Sequence, residues 1–468
     1  MRPTLIALAA IAIAFPAAVN GLTHPGESTS EHSQSQEFGS ESRALLSDRT
    51  TNTGTYIGVT ASYIADETTR FFQIGETGGP QSRPITPDTV FEIGSLTKVF
   101  TAVLLADMVR TGELSYSDTI AYLAPEGTEF PSEIGAITLA QLSTHVSGLP
   151  RRPSNLPAER EFGPYARYSA ADLFSFLRES ELAAEPGTNY AYSNLGMGLL
   201  GELLATKAGM SYGQLLQSRI FGPLEMDTTV THGLPEGQDF AQPHDMLSRP
   251  TARWDFDALA GAGAIRSTAR DMAIFIEAAL HGEQPIAQSI RETMRVTFPR
   301  PGRDRGDHPA WIWPYSDSGL RIFWHDGGTG GSRSVLAIDP DNGGRGIFIA
   351  ANTVNSVIDA ALHDFDPTYS VRTFEQIREI SLPDDVQLDD YAGIYQIGEE
   401  QLTISAAQDG LTAQFTGDGS YPLLPYKRDG FFYTVADAQI VFTRENGSVI
   451  GATLIQGGVR TDGTRIAE

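Results

Sequence analysis

Apolar residues change their spacing along this chain, and the changes divide it into regions. Residues 55–64 and 69–74 are strand-like on either side of a short turn and predict an antiparallel hairpin. Residues 99–109 are apolar on nearly every helical face, which predicts a helix that is buried all round and ends at Gly112. Further helical patterns lie between loops rich in proline and glycine, near residues 139–142, 171–177, 195–208, 212–220 and 268–280.

Strand patterns return after this helical region, at residues 321–324, 332–338 and 346–351. Strands therefore bracket a helical insertion in chain order, and we expect them to form one sheet closed from both ends. Beyond a polar stretch near residues 364–383, six further short strands alternate with turns, at residues 392–396, 402–405, 411–415, 431–434, 439–443 and 450–456. They predict a separate small all-β domain, either a sandwich or a barrel.

The amino-terminal residues have the pattern of a secretory signal peptide followed by a linker. Arg2 precedes a short apolar run and small residues, and the run is shorter than the roughly 20 residues of a membrane span. The next segment is rich in serine, glutamate, glutamine and glycine, which predicts disorder. The predicted organisation is a signal peptide at 1–21, a disordered linker at 22–51, a main domain at 52–365, a linker at 366–384 and an all-β domain at 385–468. We expect a periplasmic or secreted protein without a membrane span in its mature form, and an uncleaved amino-terminal anchor is the alternative.

Composition and charge exclude several classes of function. The formal net charge of -25 over 468 residues repels phosphate backbones, so we expect no nucleic-acid partner. The absence of cysteine excludes a disulfide, a thiolate nucleophile and a cysteine-based zinc site. No His-Glu-x-x-His cluster occurs among the nine histidines, and we expect neither a metal nor another cofactor. The Gly-x-Ser-x-Gly signature of α/β-hydrolases is absent too.

Ser95 and Lys98 lie three residues apart where the predicted buried helix begins. This spacing places both side chains on one helical face, within reach of each other. The chain has three lysines against thirty arginines, and of the two residue types only lysine can lose its charge inside a protein. The apolar neighbours of Lys98 enclose this face, where an unpaired ammonium is costly. The pattern predicts Ser95 as a nucleophile and Lys98 as its proton-handling partner, with a chance spacing as the alternative.

Two later segments contain residues that are suited to a catalytic site. Tyr192-Ser193-Asn194 precedes the helical pattern at 195–208, and the alternative interpretation is a helix cap formed by Ser193 or Asn194. Residues 325–331 read His-Asp-Gly-Gly-Thr-Gly-Gly, and their four glycines let the backbone approach a ligand closely, as in an oxyanion hole. A flexible hairpin with a solvent-facing histidine is the alternative there.

In this order, the three segments resemble those of the β-lactamase-related serine hydrolases. That family includes class C β-lactamases, D-alanyl carboxypeptidases, D-aminopeptidases and family VIII esterases. Residues 91–98 look like its nucleophile motif, Tyr192-Ser193-Asn194 like its tyrosine motif and His325-Asp326-Gly327 like its third motif, with further matches at 142–150 and 261–268. The resemblance spans residues 56–360, and the terminal β domain resembles the lipocalin-like domain of some members.

The resemblance implies an α+β fold: an antiparallel sheet flanked by helices, an inserted helical domain, and an active site between them. Ser95 would attack a carbonyl carbon and give its proton to Lys98 or Tyr192, and Tyr192 would then protonate the leaving group. Asn194 would hold both the amide carbonyl of the substrate and Lys98. Main-chain N–H groups of Ser95 and Gly328 would form the oxyanion hole, and water would release the acyl group.

The third motif departs from the family pattern in a way that bears on the substrate. Most class C β-lactamases have Lys-Thr-Gly where this chain has His325-Asp326-Gly327, and the lysine and hydroxyl help to bind a substrate carboxylate that an ionised aspartate would repel. We therefore expect peptide or ester substrates at least as much as β-lactams. Arg152 and Asn194, together with the third motif and Gly328, are predicted to bind the substrate, whereas His145 is predicted to have a structural role only.

A protein of a different class would share these motifs: a penicillin- or peptidoglycan-binding sensor that keeps the pocket without turnover. The complete set of Ser95, Lys98 and Tyr192 favours the enzyme. In both interpretations the partner is a small-molecule ester, a β-lactam or a peptide.

Overall fold

The computed structural model describes residues 37–157, 162–312, 319–371, 386–398, 400–407, 410–416, 420–456 and 459–467, together with Leu382. The predicted signal peptide, the linker as far as residue 36 and most of the second predicted linker lie outside these residues. Within the described part of the chain, no helix is both long enough and apolar enough to cross a membrane.

The main domain contains the helices and nine of the strands that the structure describes. The helices are α1 (Ser40–Thr51), α2 (Thr97–Arg110), α3 (Ile120–Leu123), α4 (Ser132–Gly135), α5 (Leu139–Ser143), α6 (Ala170–Glu179), α7 (Asn194–Ala208), α8 (Tyr212–Leu216), α9 (Gly222–Leu224), α10 (Ala269–His281), α11 (Pro285–Arg295) and α12 (Ile358–Phe365). The strands are β1 (Gly58–Ala65), β2 (Thr68–Gly75), β3 (Phe91–Glu92), β4 (Arg266–Ser267), β5 (Phe298–Arg300), β6 (Arg303–Asp307), β7 (Phe323–Gly328), β8 (Arg333–Asp339) and β9 (Arg345–Ala351).

A five-stranded antiparallel sheet forms the centre of this domain, in the order β2-β1-β9-β8-β7. Strand β1 pairs with β9 from Val59↔Ala351 to Ile64↔Gly346, although the two strands come from opposite ends of the domain. The predicted hairpin and the closure of the sheet from both ends are therefore confirmed. Every residue of β1 is buried, whereas β7 lies at an edge of the sheet, where other segments can approach it.

Successive side chains along a strand point to opposite faces of the sheet, and each face packs against its own hydrophobic core. On one face, Ile347 and Ile349 of β9 pack with α1 and α12. On the other face, Phe348 packs with α2 and α10, and Phe100 of α2 lies 4.5 Å from Phe275 between ring centroids. Twelve consecutive residues of α2 are buried, which confirms the prediction of a helix enclosed on all sides. This enclosure governs the chemistry available at the start of α2.

The predicted helices of the middle region are present, and several begin at capping residues. Thr138, Ser169 and Ser211 each accept the N–H of the residue three positions later and so cap α5, α6 and α8. Helices α11 and α12 were not predicted. The α+β architecture expected from the sequence is confirmed.

Helix α1 corrects the prediction that residues 22–51 form a disordered linker. Residues 40–51 are helical, with Leu46 fully buried in the core beneath the sheet. The guanidinium of Arg49 pairs with the carboxylate of Asp359 in α12 at 2.5 Å and donates a hydrogen bond to the Tyr56 hydroxyl. These contacts come from residues remote in sequence, and they provide the ordering energy that the local composition lacks.

The carboxy-terminal domain is a closed barrel of eight antiparallel strands. These are β10 (Gly393–Ile397), β11 (Glu400–Ala407), β12 (Gly410–Phe415), β13 (Tyr421–Lys427), β14 (Gly430–Tyr433), β15 (Ala438–Glu445), β16 (Ser448–Gln456) and β17 (Val459–Ala467). Strands β13 and β17 were not predicted, and of the two predicted alternatives the barrel is correct. Aromatic side chains pack together inside it, including Tyr391, Phe431 and Phe442.

Breaking the buried ion pair should show whether α1 is part of the folded domain. Arg49→Met leaves the Asp359 carboxylate buried without its guanidinium, and we expect the free energy of unfolding to fall by about 3–5 kcal/mol. The matched control is Arg43→Met, because Arg43 pairs with Glu37 at the surface, where an ion pair contributes at most about 1 kcal/mol. Urea unfolding of the two variants and the wild type measures both changes in the free energy of unfolding. Equal, small losses for the two variants would contradict the packing described for α1.

Candidate active site

The turn before α2 places the predicted nucleophile beside the predicted base. Gly94–Leu96 form a single 3₁₀ turn that leads into α2, and Ser95 is partly exposed there. Lys98 is 0% exposed, and its Nζ donates hydrogen bonds to Ser95 Oγ at 3.0 Å and to the main-chain O of Ala262 at 2.7 Å. The predicted Ser95–Lys98 contact is present.

The environment of Lys98 disfavours its ammonium form. Burial, and secondarily the charge of Arg151, hold the pKa of Lys98 well below its usual range, while Asp326 acts in the opposite direction. The amine contacts one hydroxyl and one carbonyl oxygen rather than a carboxylate. An uncharged amine in this position can accept a proton from the Ser95 hydroxyl.

Tyr192 lies across the site from Lys98. The centroid of its ring is 4.9 Å from Lys98 Nζ. Burial raises the pKa of Tyr192 above its usual value, and the charge of Arg151 and a hydrogen bond with Ser95 act in the opposite direction. The phenol is therefore neutral at physiological pH and carries a proton that it can donate.

The helix-cap interpretation of the Tyr192-Ser193-Asn194 segment is confirmed for Ser193, and the catalytic interpretation stays a prediction. Ser193 caps α7, because its Oγ accepts the N–H of Gly196 at 2.8 Å. Asn194 donates from Nδ2 to the Tyr165 hydroxyl at 3.1 Å, and its Oδ1 is buried without a hydrogen-bond partner in the structure. Asn194 does not accept a hydrogen bond from Lys98, in contrast to what the resemblance implied.

The glycines of the third motif bring an edge strand close to Ser95. Thr329 N–H donates to Ser332 O at 3.0 Å and closes a two-residue turn between β7 and β8. Hydrogen-bonded pairs alternate along an antiparallel ladder, so the N–H of Gly328 points away from β8 and off the edge of the sheet. A Cβ on Gly94 would lie only 2.6 Å from that nitrogen. The N–H of Gly328 is thus directed at the turn that contains Ser95.

His325 is buried in the site, which makes the solvent-facing alternative wrong. The side chain is 1% exposed, and its Nδ1 lies 2.5 Å from the main-chain O of Asp326. Burial, followed by the charge of Lys98, lowers the pKa of His325 to about 3, so the ring is neutral. Gly327, two residues further on, has no room for a side chain, because the main-chain O of Ile93 occupies the position of its Cβ.

Asp326 has an unsatisfied acceptor in the site. Burial raises the pKa of Asp326, whereas the charges of Arg333, Lys98 and Arg151 lower it. Its Oδ1 is buried and has no hydrogen-bond partner in the structure. Because a buried acceptor without a donor is costly, this oxygen is suited to a donor on a bound molecule.

The arginine that contacts Tyr192 is Arg151, one residue before the predicted Arg152. The Cζ of Arg151 lies 5.0 Å from the centroid of the Tyr192 ring, in a cation–π contact. Arg152 is partly exposed, and its charge lowers the pKa of Arg151. Substrate binding by Arg152 stays a prediction.

Glu92 is a further residue of the site that the sequence pattern did not single out. It is 3% exposed and accepts hydrogen bonds from Thr329 Oγ1 at 2.6 Å and from the main-chain N–H of Trp254 at 2.5 Å. These bonds connect the third-motif turn to the strand that leads into Ser95. Burial raises the pKa of Glu92 to about 7, and the two hydrogen bonds partly offset the effect of burial.

The barrel lies beside the third motif. The main-chain N–H of Met246 in the main domain donates to the main-chain O of Thr434, in the loop between β14 and β15, at 2.9 Å. Burial lowers the pKa of Arg333, and the carboxylates of Asp326 and Asp437 act in the opposite direction. Arg333 therefore lies between one carboxylate of the site and one of the barrel.

In this fold a serine, a buried lysine and a tyrosine meet beside an edge strand, an arrangement that could support acylation of the serine. No group of three or more residues able to hold a metal ion occurs among the described residues. The family model for β-lactamases matches residues 46–366, and the chain belongs to the β-lactamase family.

Similarity to individual relatives is distributed over two activities. The β-lactamase of Escherichia coli (strain K12) is 30% identical over 226 residues, which make up 47% of this chain and only 57% of that protein. The D-alanyl-D-alanine-carboxypeptidase/endopeptidase AmpH of the same organism is 30% identical over 270 residues, 54% of this chain and 68% of that protein.

Solved structures show the same fold. A class C β-lactamase from Rhodobacter sphaeroides has a TM-score of 0.57 at 24% identity. The match covers 69% of this chain and 98% of that structure. A β-lactamase/D-alanine carboxypeptidase from Yersinia pestis, complexed with citrate, has a TM-score of 0.55 at 24% identity. The match covers 67% of this chain and 93% of that structure. The main domain therefore has the class C β-lactamase fold, to which this chain adds the barrel.

The raised pKa of Glu92 should make stability depend on pH. Its pKa is about 7 in the folded protein against 4.5 ordinarily, so the folded state holds this proton more tightly than the unfolded state does. Protonated Glu92 makes its full contribution to the free energy of unfolding below pH 4.5, and this contribution is lost as the pH rises through about 7. We expect Glu92→Gln to remove this component, on the order of 2–3 kcal/mol, from urea unfolding curves across that range. The exposed Glu236→Gln is the control, and an identical pH dependence in wild type and Glu92→Gln would contradict the assignment.

Proposed function

We propose that this protein is a serine hydrolase that cleaves an amide or ester bond through an acyl-enzyme on Ser95. The observation that carries the proposal is the buried, carboxylate-free amine of Lys98, 3.0 Å from the Ser95 hydroxyl. A serine hydroxyl is a weak nucleophile until a base removes its proton, and an amine without charge supplies that base. The other two lysines of the chain, Lys207 and Lys427, contact the rings of Tyr122 and Tyr426 instead.

The two proton-handling residues have different roles in this proposal. Tyr192 is a neutral phenol, because burial raises its pKa, so it is unsuited to act as the first base. Lys98 accepts the proton of Ser95 as Oγ attacks the carbonyl carbon. Tyr192, across the site and hydrogen-bonded to Ser95, then transfers a proton to the leaving amine or alcohol. Water attacks the acyl-enzyme by the reverse route and releases the acid.

The negative charge that develops on the carbonyl oxygen needs fixed donors. The N–H of Gly328 points off the sheet edge toward the Ser95 turn, and the N–H of Ser95 begins the turn into α2. Two such groups form an oxyanion hole, in which one donor typically contributes about 3–4 kcal/mol to transition-state stabilisation. The contact between Gly94 and Gly328 fixes their separation.

The third motif favours a substrate that offers a hydrogen-bond donor over one that offers a carboxylate. His325 is neutral, so it does not supply the positive charge of a lysine. The orphaned Oδ1 of Asp326 accepts from an N–H or an ammonium and repels an anionic group. We propose amino-acyl amides and peptides cleaved after an amino-terminal residue, whose ammonium can bind Asp326, and small neutral esters as substrates, in preference to β-lactams and peptides that present a carboxylate at this position. One of the relatives is named a carboxypeptidase and endopeptidase, and of these two names the endopeptidase is in line with a substrate without a carboxylate next to the cleaved bond.

The first test is removal of the nucleophile. Ser95→Ala should lower hydrolysis of every substrate that the wild type cleaves by at least about 1,000-fold and abolish labelling by a fluorophosphonate. The exposed Ser117→Ala is the control and should match the wild type. The panel consists of short-chain p-nitrophenyl esters, D-alanyl-D-alanine peptides and nitrocefin. Retained hydrolysis in Ser95→Ala would overturn the proposal, and an acyl group from the ester, peptide or nitrocefin substrates that stays on wild-type Ser95 without turnover would favour the sensor.

The second test changes the third motif to the pattern that binds carboxylates. We expect His325→Lys with Asp326→Thr to raise the second-order rate of acylation by a labelled penicillin about 10-fold or more, because a like charge is removed and a cation added. Hydrolysis of a neutral ester by the same variant should not rise. The ratio of the two rates is the readout, so a general loss of activity does not affect it. A ratio that stays constant would contradict the role given to Asp326.

A further inference from the structure

His145 holds the segment that carries Tyr192 from both sides. The main-chain N–H of Ala191 donates to the main-chain O of His145 at 2.8 Å. The N–H of Ser193 donates to the ring Nδ1 of His145 at 3.1 Å. The two residues that flank Tyr192 are thus both bonded to one residue, which is itself 3% exposed.

The ring of His145 also contacts the tyrosine directly. Its centroid lies 4.5 Å from that of Tyr192, with 33° between the ring planes. Lys98 and Arg151 approach the same aromatic ring at 4.9 and 5.0 Å. Tyr192 therefore packs between the imidazole of His145 and the side chains of Lys98 and Arg151, and the imidazole is the member of this group that also accepts the main-chain N–H of Ser193.

We propose that His145 is a positioning residue for the proposed hydrolase reaction, which sets the place and orientation of the Tyr192 hydroxyl relative to Ser95. The inference rests on the function proposed above, but it assigns a new role to a residue for which the sequence suggested only a structural one. His145 itself does not touch Ser95 in the described contacts. It acts through Tyr192.

The surrounding segment gives this residue a rigid base. Gly187 N–H donates to Val146 O at 2.7 Å, and Ala183 N–H donates to Gly148 O at 3.0 Å. With the bond from Ala191 to His145, three main-chain hydrogen bonds join the segment after α5 to the loop that precedes α7. These bonds fix the position of Tyr192 relative to α5, and a capping box stabilises the start of α5.

The bond to Ser193 fixes the tautomer of His145. Because Nδ1 accepts the N–H of Ser193, the proton of the neutral ring lies on Nε2. If Nδ1 were protonated, its N–H would face the N–H of Ser193 and the hydrogen bond would be lost. Burial keeps the pKa of His145 well below its usual value, and any positive charge on the neighbouring Lys98, His325 or Arg151 acts in the same direction. The acceptor therefore persists over the pH range in which the amine of Lys98 is uncharged. The Nε2–H is buried and has no hydrogen-bond partner in the structure.

The backbone of His145 decides which substitutions are informative. Its φ of 59° lies in the left-handed region, which asparagine tolerates better than most residues do. Asparagine also places an acceptor near the position of Nδ1, so His145→Asn keeps the bond to Ser193. His145→Gln places its amide near the position of Nε2 and loses that bond. The two variants separate positioning through Nδ1 from a direct action through Nε2–H.

The test measures kcat and KM for both variants on the best substrate of the wild type, with circular dichroism to verify folding. We expect His145→Gln to lower kcat about 10–100-fold with KM within about threefold, and His145→Asn to stay within about fivefold of the wild type. In a Tyr192→Phe background, His145→Gln should have no further effect, because the residue acts through the tyrosine. Retained kcat in His145→Gln, a loss in His145→Asn as large as that in His145→Gln, or full additivity with Tyr192→Phe would each overturn the proposal.

A crystal structure of His145→Gln distinguishes failure of this inference from failure of the proposed function. If wild type and Ser95→Ala hydrolyse the panel equally, the function is wrong, whatever His145 does. A Tyr192 ring displaced in His145→Gln but not in His145→Asn would still support positioning. A Tyr192 ring in the same place in both variants would overturn it.

Discussion

The proposed reaction depends on a buried amine that contacts no carboxylate in the part of the chain that the structure describes. Helix α2 is enclosed on all sides, so Lys98 lies where water cannot stabilise an ammonium. Two neutral oxygens hold the amine, and the nearby cation Arg151 disfavours a second positive charge. A lysine in this setting gains stability by losing its proton, and the lost proton is what makes it a base. An apolar helix, normally a feature of stability alone, thus creates the reactivity of its first turn.

The rest of the site is arranged around that turn by close backbone contacts. Residues 94 and 327 are glycines because carbonyl or amide groups of the opposite segment occupy the positions of their Cβ atoms. Side chains there would push the edge strand away from α2 and separate the N–H groups that face the substrate. Glu92 adds a buried link across the same contact through Thr329. The geometry of the proposed oxyanion hole therefore depends on packing between β7 and the turn that leads into α2.

The sequence predicted those features that depend on local pattern. The hairpin, the enclosed helix and the three motifs each have a period or spacing that the chain itself displays. Helix α1 was missed because its burial comes from Leu46 and from the Arg49 ion pair, whose partners lie more than 300 residues away. Strand β13 was missed because its two prolines are unfavourable for a strand, although the closed barrel accommodates them. His145 was predicted to have a structural role only and Arg151 was not singled out, because their contacts with Tyr192 exist only after two loops fold together.

The barrel affects the site through its surface more than through its interior. Aromatic and aliphatic side chains pack inside it, so the part of the interior that the structure describes is a core rather than a ligand cavity. Its loop at Thr434 instead bonds to the main domain, and Asp437 lies close enough to Arg333 to influence its pKa. Burial raises the pKa of Asp326, and the charge of Arg333 acts in the opposite direction. Asp437 of the barrel therefore acts on Arg333, and Arg333 acts on Asp326 of the third motif. A barrel added to the class C fold thereby contributes, through Arg333, to the electrostatic environment of the Asp326 carboxylate in the third motif.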